Sequence, residues 1–189
     1  LLDGHPWFEV VSVAASPRSA EKTYGEAVEG RWTQADSIPD GVAELVVKNV
    51  NEIGEISDEV DFVFSALDME KDEIRDLEDA FASAETPVAS NNSAHRWTPD
   101  VPMIIPEINP GHAEVIPAQR KRLGTRAGFV AVKPNCSIQP YVPAFHALEE
   151  FGPKSASVCT YQAISGAGKT FETCPEMVDN VIPRHVSSR

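Results

Sequence analysis

Short β-branched and aromatic runs alternate along this chain with stretches of helical spacing, and that alternation restricts the fold more than any other feature. "FEVVSVAAS" (8–16), "AELVVKNV" (43–50), "DFVFSAL" (61–67), "TPVAS" (86–90) and residues 129–133 read as strands. After the third of them Ile74, Leu77, Phe81 and Ala84 recur at helical spacing, which predicts an amphipathic helix over 69–85. "DVPMIIPEINP" (100–110) is proline-rich and should run extended, whereas Pro117 suits the first turn of a short helix, 117–123. "ASVCTYQAISGAG" (156–168) reads as a further strand entering a glycine-rich turn, and 173–183 as helical from Pro175. The pattern is that of an α/β fold with a mainly parallel sheet.

Composition narrows the function. Hydrophobic residues at 42% are enough for a real core, and 29 acidic against 16 basic residues give a net charge of −13. That charge repels phosphate backbones and anionic lipid surfaces, so neither nucleic acid nor membrane is expected as a partner. The acid excess is spread over solvated faces; a sharper reading is adaptation to high salt. The cysteines, at 136, 159 and 174, match no zinc pattern. Reduced thiols in the cytoplasm are the expectation. No apolar run approaches a membrane span and no signal peptide is visible. The opening "LLDGHPWFEVV" reads as the end of a helix, a turn and a strand, so truncation at both ends is expected.

The strand at 129–133 stops at Lys133-Pro134 and is followed by Asn135, Cys136 and Ser137, then by a stretch read as a helix to about 151. A thiol in a strand-to-helix turn is well placed to be a nucleophile. Helix N-terminal N–H groups favour the thiolate and can hold the oxyanion formed when it attacks a carbonyl. A small buried hydrophobe is the equal alternative on position alone. After the first strand, Ser16, Arg18 and Ser19 stand where dinucleotide folds carry an acid for the ribose 2′-hydroxyl. Guanidinium and hydroxyls suit a 2′-phosphate, hence NADP, although S-P-R-S is also an ordinary polar turn. "SNNSAHR" (90–96) clusters Asn91 and Arg96 beyond a strand end, where open α/β sheets bind ligands. "ISGAG" (164–168) offers a backbone that a ligand can approach, or merely a tight turn. His5, His95, His112, His146 and His185 are read as structural.

Together these segments resemble the aspartate-semialdehyde dehydrogenase family, in its archaeal and fungal branch. "HPWFEVVSVAASPRSAEKTY" resembles the family's second strand and NADP-phosphate loop, and "VDFVFSAL" its cofactor-side strand and turn. "VASNNSAHRWTPDVPMIIPEINPGH" is similar to its S-N…R…D-V-P…I-P-E-x-N segment, "KPNCSIQ" to its P-N-C-S-T turn, and "YQAISGAG…DNVIP" to two later stretches. The resemblance implies a Rossmann-like NADP-binding domain over 1–134, lacking the first strand and glycine fingerprint that the family places before residue 1. The start of an α+β catalytic and dimerisation domain would follow, over 135–189. It implies reductive dephosphorylation of L-aspartyl 4-phosphate to L-aspartate 4-semialdehyde with NADPH, in lysine, methionine and threonine synthesis.

In that reading Cys136 is the nucleophile, and Gln162 and Arg96 bind substrate, Arg96 through its phosphate. Ser16, Arg18, Ser19, Ser65, Asn91, Ser165, Gly166, Ala167 and Gly168 contact the cofactor, and no metal takes part. The partners are a small-molecule substrate and phosphate, and the full-length protein would be a homodimer or homotetramer. The family's acid/base histidine and its carboxylate-binding arginine would lie beyond Arg189, so these residues alone are expected to be inactive. Glu21, Ile138 and Lys169 depart from a usual glycine, threonine and aromatic, and Pro140 and Pro143 should shift or kink the helix after the cysteine. A malonyl-CoA or succinyl-CoA reductase paralogue is the nearest alternative. N-acetyl-glutamyl-phosphate reductase is further off, since its turn usually reads P-G-C-Y, and a non-catalytic nucleotide-binding module is a third class.

Overall fold

The computed structural model describes residues 2–167 and 169–182. The chain forms two compact units, 1–146 and 147–189. In the first, five short strands alternate with helices: β1 (Val13–Ala15), α1 (Tyr24–Ala27), α2 (Asp40–Ala43), β2 (Val47–Asn49), α3 (Ile53–Ser57), β3 (Val63–Ser65), α4 (Lys71–Ser83), β4 (Val88–Ser90), α5 (Ile116–Leu123) and β5 (Val130–Val132). α6 (Val142–Ala147) ends it. Every strand pair is parallel, in the orders β1-β2 and β3-β4-β5, with Val13 opposite Val47, Val63 opposite Val88 and Val88 opposite Val130. This is the parallel α/β architecture that the alternation predicts.

α4 is the helix read from the spacing of its apolar residues, and it docks Ile74, Leu77, Phe81 and Ala82 on the sheet. They join Val50, Ile56, Val88, Val101, Val130 and Val132 in one core. Gly128 is required where β5 enters that core: a Cβ there would lie 1.8 Å from the carbonyl oxygen of Ala82. α1 carries a capping box in which Glu26 N–H donates to Thr23 Oγ1 and Thr23 N–H donates to Glu26 Oε2.

The outer edge of β5 is closed by side chain and loop. Gln119, fully buried on α5, receives the Val130 N–H at 2.5 Å and donates to the carbonyls of Val130 (3.0 Å) and Asp100 (2.9 Å). Further along, Val132 N–H donates to Pro102 O and Ile104 N–H to Val132 O. The proline-rich 100–110 segment thus serves as an edge cover, which removes a row of free backbone groups.

Several elements differ from the sequence expectation. Residues 8–12 and 61–62 are not strand, because β1 and β3 each have one ladder neighbour and face a cleft of about 610 Å³ on the other side. Ala14 of β1 and the preceding Val11 and Ser12 line it on one side, and Val63, Phe64 and Ser65 of β3 on the other. Ala43 belongs to a short helix opened by Pro39, whose carbonyl takes the N–H groups of Val42 and Ala43, and not to the strand that follows. The stretch 156–168 is not a strand: residues 152–163 are exposed without a ladder partner, and Ile164–Ala167 form a 3-10 turn. Its β-branched residues have no half-buried sheet to fit, and propensity alone does not make one. From Pro175 only a 3-10 turn forms, Pro175–Met177.

Candidate active site

Cys136 sits in a turn that leaves β5 at the C-terminal end of the sheet, the side on which open parallel sheets bind ligands. Its thiol is exposed. The preceding Pro134 is buried, and two side chains meet its carbonyl: Gln139 donates through Nε2 at 3.0 Å and Arg96 through Nη2 at 3.4 Å. Asn135 Oδ1 accepts the Ser137 N–H at 2.7 Å and lies 3.8 Å from Cys136 Sγ, while Ile138 N–H closes on Asn135 O. The Asx turn orders the cysteine without a helix.

The helix itself starts later than expected. α6 begins at Val142, so Cys136 stands in a run of turns ahead of it and not on its first residue. Pro140 and Pro143 have no N–H to give to carbonyls one turn earlier, and each disfavours helical geometry in the residue before it. α6 ends at Ala147, followed by a 3-10 turn at Glu149–Phe151 with Gly152 left-handed.

A buried polar network holds the neighbouring strand ends. Glu78 of α4, 1% exposed, takes the Ser90 hydroxyl at 2.6 Å and Asn92 Nδ2 at 3.3 Å through Oε1, and its Oε2 has no partner among the described residues. Asn92 Nδ2 also reaches Ser65 Oγ at 3.1 Å. Ser65 is therefore engaged in this network, while exposed Asn91 gives its N–H to Ser65 O. Sequence reasoning singled out Asn91 but missed Asn92, Glu78 and Gln139. Glu78 looked like one more acid on a solvated helix; its position one residue from Leu77 and three from Phe81 was the available signal.

Arg96 reaches the cysteine turn from a separate loop. His95, fully buried, anchors that loop on α4: its ring nitrogens lie 3.1 Å from Thr98 Oγ1 and 3.3 Å from Arg75 O, with Asp79 Oδ1 at 3.5 Å. Arg122 binds Asp79 and Asp100 at 2.8 and 2.6 Å, and these two carboxylates hold its guanidinium firmly protonated. His112 contacts the main chain of Met103, and His5 stacks on Phe8, so these histidines have structural partners. His185 lies outside the described residues.

At the end of β1, Ser16 O accepts the Ser19 N–H at 2.9 Å in a tight turn. Ser16 and Arg18 are exposed and Ser19 is half-buried, and Arg18 has no hydrogen bond or ion pair among the described residues. Glu21, just beyond, has φ of 68°, a left-handed conformation that suits glycine. In the second unit Gln162 lies against Gly166: a Cβ on that glycine would come 2.5 Å from Gln162 Nε2. Ser165 is exposed in the same 3-10 turn, to which Ala167 also belongs; Gly168 lies outside the described residues. Cys159 is exposed, and the buried Cys174 donates to Glu176 Oε1 at 3.1 Å, which raises the thiol's pKa. Among the described residues no cluster of His, Cys, Asp or Glu could hold a metal, and no helix is long and apolar enough to cross a membrane.

Residues 1–116 match the semialdehyde dehydrogenase, NAD binding domain family. The chain belongs to that family. Semialdehyde dehydrogenase relatives share its sequence well beyond the matched domain. The aspartate-semialdehyde dehydrogenase of Trichophyton rubrum is 41% identical over 97% of this chain and 49% of its own length. That of Archaeoglobus fulgidus is 39% identical over 97% of this chain and 51% of its own. The structure is similar to that of Candida albicans aspartate semialdehyde dehydrogenase with NADP, at a TM-score of 0.72 and 31% identity, covering 98% of this chain and 51% of that one. The chain thus spans about half the length of the curated relatives it matches.

Proposed function

We propose that this chain is part of an NADP-dependent aspartate-semialdehyde dehydrogenase, with most of the nucleotide-binding domain in residues 1–134 and the start of the catalytic and dimerisation domain in 135–189. The observation that carries the reading is the exposed Cys136 thiol in a braced turn at the C-terminal end of a parallel sheet. As a thiolate, Cys136 Sγ attacks the acyl carbon of L-aspartyl 4-phosphate. The S–C bond forms, the C–O bond to phosphate breaks, and its electron pair leaves with the phosphate. When bound, NADPH supplies the hydride that reduces the thioester carbon. Sγ then recovers the C–S bonding pair as the aldehyde departs.

Arg18, with no ion pair among the described residues, and the hydroxyls of Ser16 and Ser19 form a donor set that fits a 2′-phosphate dianion. In this reading Arg96 and Gln162 bind substrate, and Asn91, Ser65, Ser165, Gly166, Ala167 and Gly168 contact the cofactor. The complete enzyme would act in the cytoplasm as a homodimer or homotetramer. The test is mass spectrometry on the complete protein with aspartate semialdehyde, NADP and phosphate. A mass increment on Cys136 is expected, Cys136→Ala should abolish both adduct and NADP reduction, and Cys159→Ala and Cys174→Ala should keep both. Turnover with an acyl-CoA but not with phosphate would replace this reading by the CoA-reductase one.

A further inference from the structure

The guanidinium of Arg96 is turned toward the protein and meets two successive main-chain carbonyls: Nε donates to Lys133 O at 3.2 Å and Nη2 to Pro134 O at 3.4 Å. Lys133 and Pro134 join β5 to the cysteine turn. Their other main-chain groups leave little to hold that joint. The Lys133 N–H is spent on Ser90 O, and proline has no N–H. The joint is therefore fixed from outside, by Arg96 on both carbonyls and by Gln139 on the second. The base of the tie is rigid too. His95, next to Arg96 in sequence, is fully buried, its ring meeting Arg75 O on α4 and Thr98 Oγ1 within its own loop.

We propose that Arg96 is a positioning residue for the nucleophile, its planar fork holding the Lys133 and Pro134 carbonyls so that the Cys136 turn keeps one geometry. The inference rests on the reading of Cys136 as the nucleophile and adds to the role of Arg96 on substrate. Two of the five guanidinium N–H groups are used by the carbonyls, and the rest stay available to the leaving phosphate. One side chain would then set the distance between sulfur and departing anion. Lysine cannot substitute, because an ammonium is a point charge that does not span two carbonyls in a plane.

The test uses the complete protein without substrate or cofactor. Backbone amide exchange is followed in the segment containing Ser137 and Ile138, together with iodoacetamide alkylation of Cys136 relative to the exposed Cys159. Arg96→Lys and Arg96→Ala should both accelerate exchange of the turn, by roughly tenfold for the loss of a hydrogen bond from a charged donor. Both should also change the Cys136 to Cys159 alkylation ratio, while exchange in α4 stays as in the parent. Gln139→Met removes only the second donor to Pro134 and should move the same readouts less. The proposal is overturned if Arg96→Lys behaves as the parent chain, since charge and not the fork would then be at work. It is equally overturned if neither Arg96 variant loosens the turn, or if Gln139→Met loosens it more than they do. A loosened turn in a protein whose Cys136 never carries an acyl group would leave the tie standing and remove the thioester reading.

Discussion

Replacing Gln119 by leucine tests whether the strand that delivers Cys136 depends on a single side chain for the Val130 part of its outer edge. Gln119 is fully buried and serves three main-chain groups: the N–H and carbonyl of Val130 and the carbonyl of Asp100. Leucine has similar bulk and no polar atom, so all three lose their partner, the two Val130 groups in the buried interior and the Asp100 carbonyl in a half-buried place. A buried group left unsatisfied costs about 1–3 kcal/mol, and at one to two per group the two Val130 groups cost roughly 2–4 kcal/mol. The whole stability of a domain is of order 5–15 kcal/mol, so Gln119→Leu should unfold much of the population or lower the urea midpoint sharply. Gln119→Glu keeps the acceptor for Val130 N–H but sets a buried carboxylate oxygen against both carbonyls, and should cost at least as much as leucine near neutral pH. Urea titration followed by circular dichroism reads the difference. A Gln119→Leu unfolding free energy within about 1 kcal/mol of the parent would show that the edge is satisfied by other means, and the account of β5 would be wrong.

Two further outcomes follow from the backbone. Glu21→Gly should raise stability by about 0.5–1 kcal/mol, because Glu21 holds a φ of 68° that glycine adopts freely; an unchanged or lower thermal midpoint would contradict this. Glu85 receives the N–H groups of Ala127, Arg126 and Gly128, which hold its carboxyl below the usual range, the Ala127 bond contributing most. A depressed folded pKa gives stability that is present above the unfolded value and lost as pH falls through the folded one. The gap in urea midpoint between the parent and Glu85→Gln should hold from pH 7 to about 5 and shrink as the pH falls further, through the unfolded carboxyl's range and down past the depressed folded value. A gap that persists unchanged to pH 3 would mean that charge on Glu85 is irrelevant.

Much of this protein was legible in local pattern. The Ile74, Leu77, Phe81 spacing specified α4, Pro117 marked the start of α5, and β-branched runs located all five strands, because backbone periodicity follows directly from side-chain order. The P-N-C-S run marked Cys136 for the same reason: Pro134 and Asn135 impose a turn whatever lies around them. Strand length and partnership were not legible. Residues 8–12 and 156–163 have strand-forming side chains and no ladder, since a strand exists only where a neighbour supplies hydrogen bonds. Nor could order along the chain reveal that Arg96 meets carbonyls 37 and 38 residues away, or that Glu78 is buried with Ser90 and Asn92. The sequence by itself marked α4, α5 and the places of the strands β1 to β5, and put a thiol after a strand, while its readings of 156–168 as strand and 173–183 as helix failed. Only the tertiary structure decided which polar groups are drawn from water and must find one another, because that depends on how the helices close over the sheet.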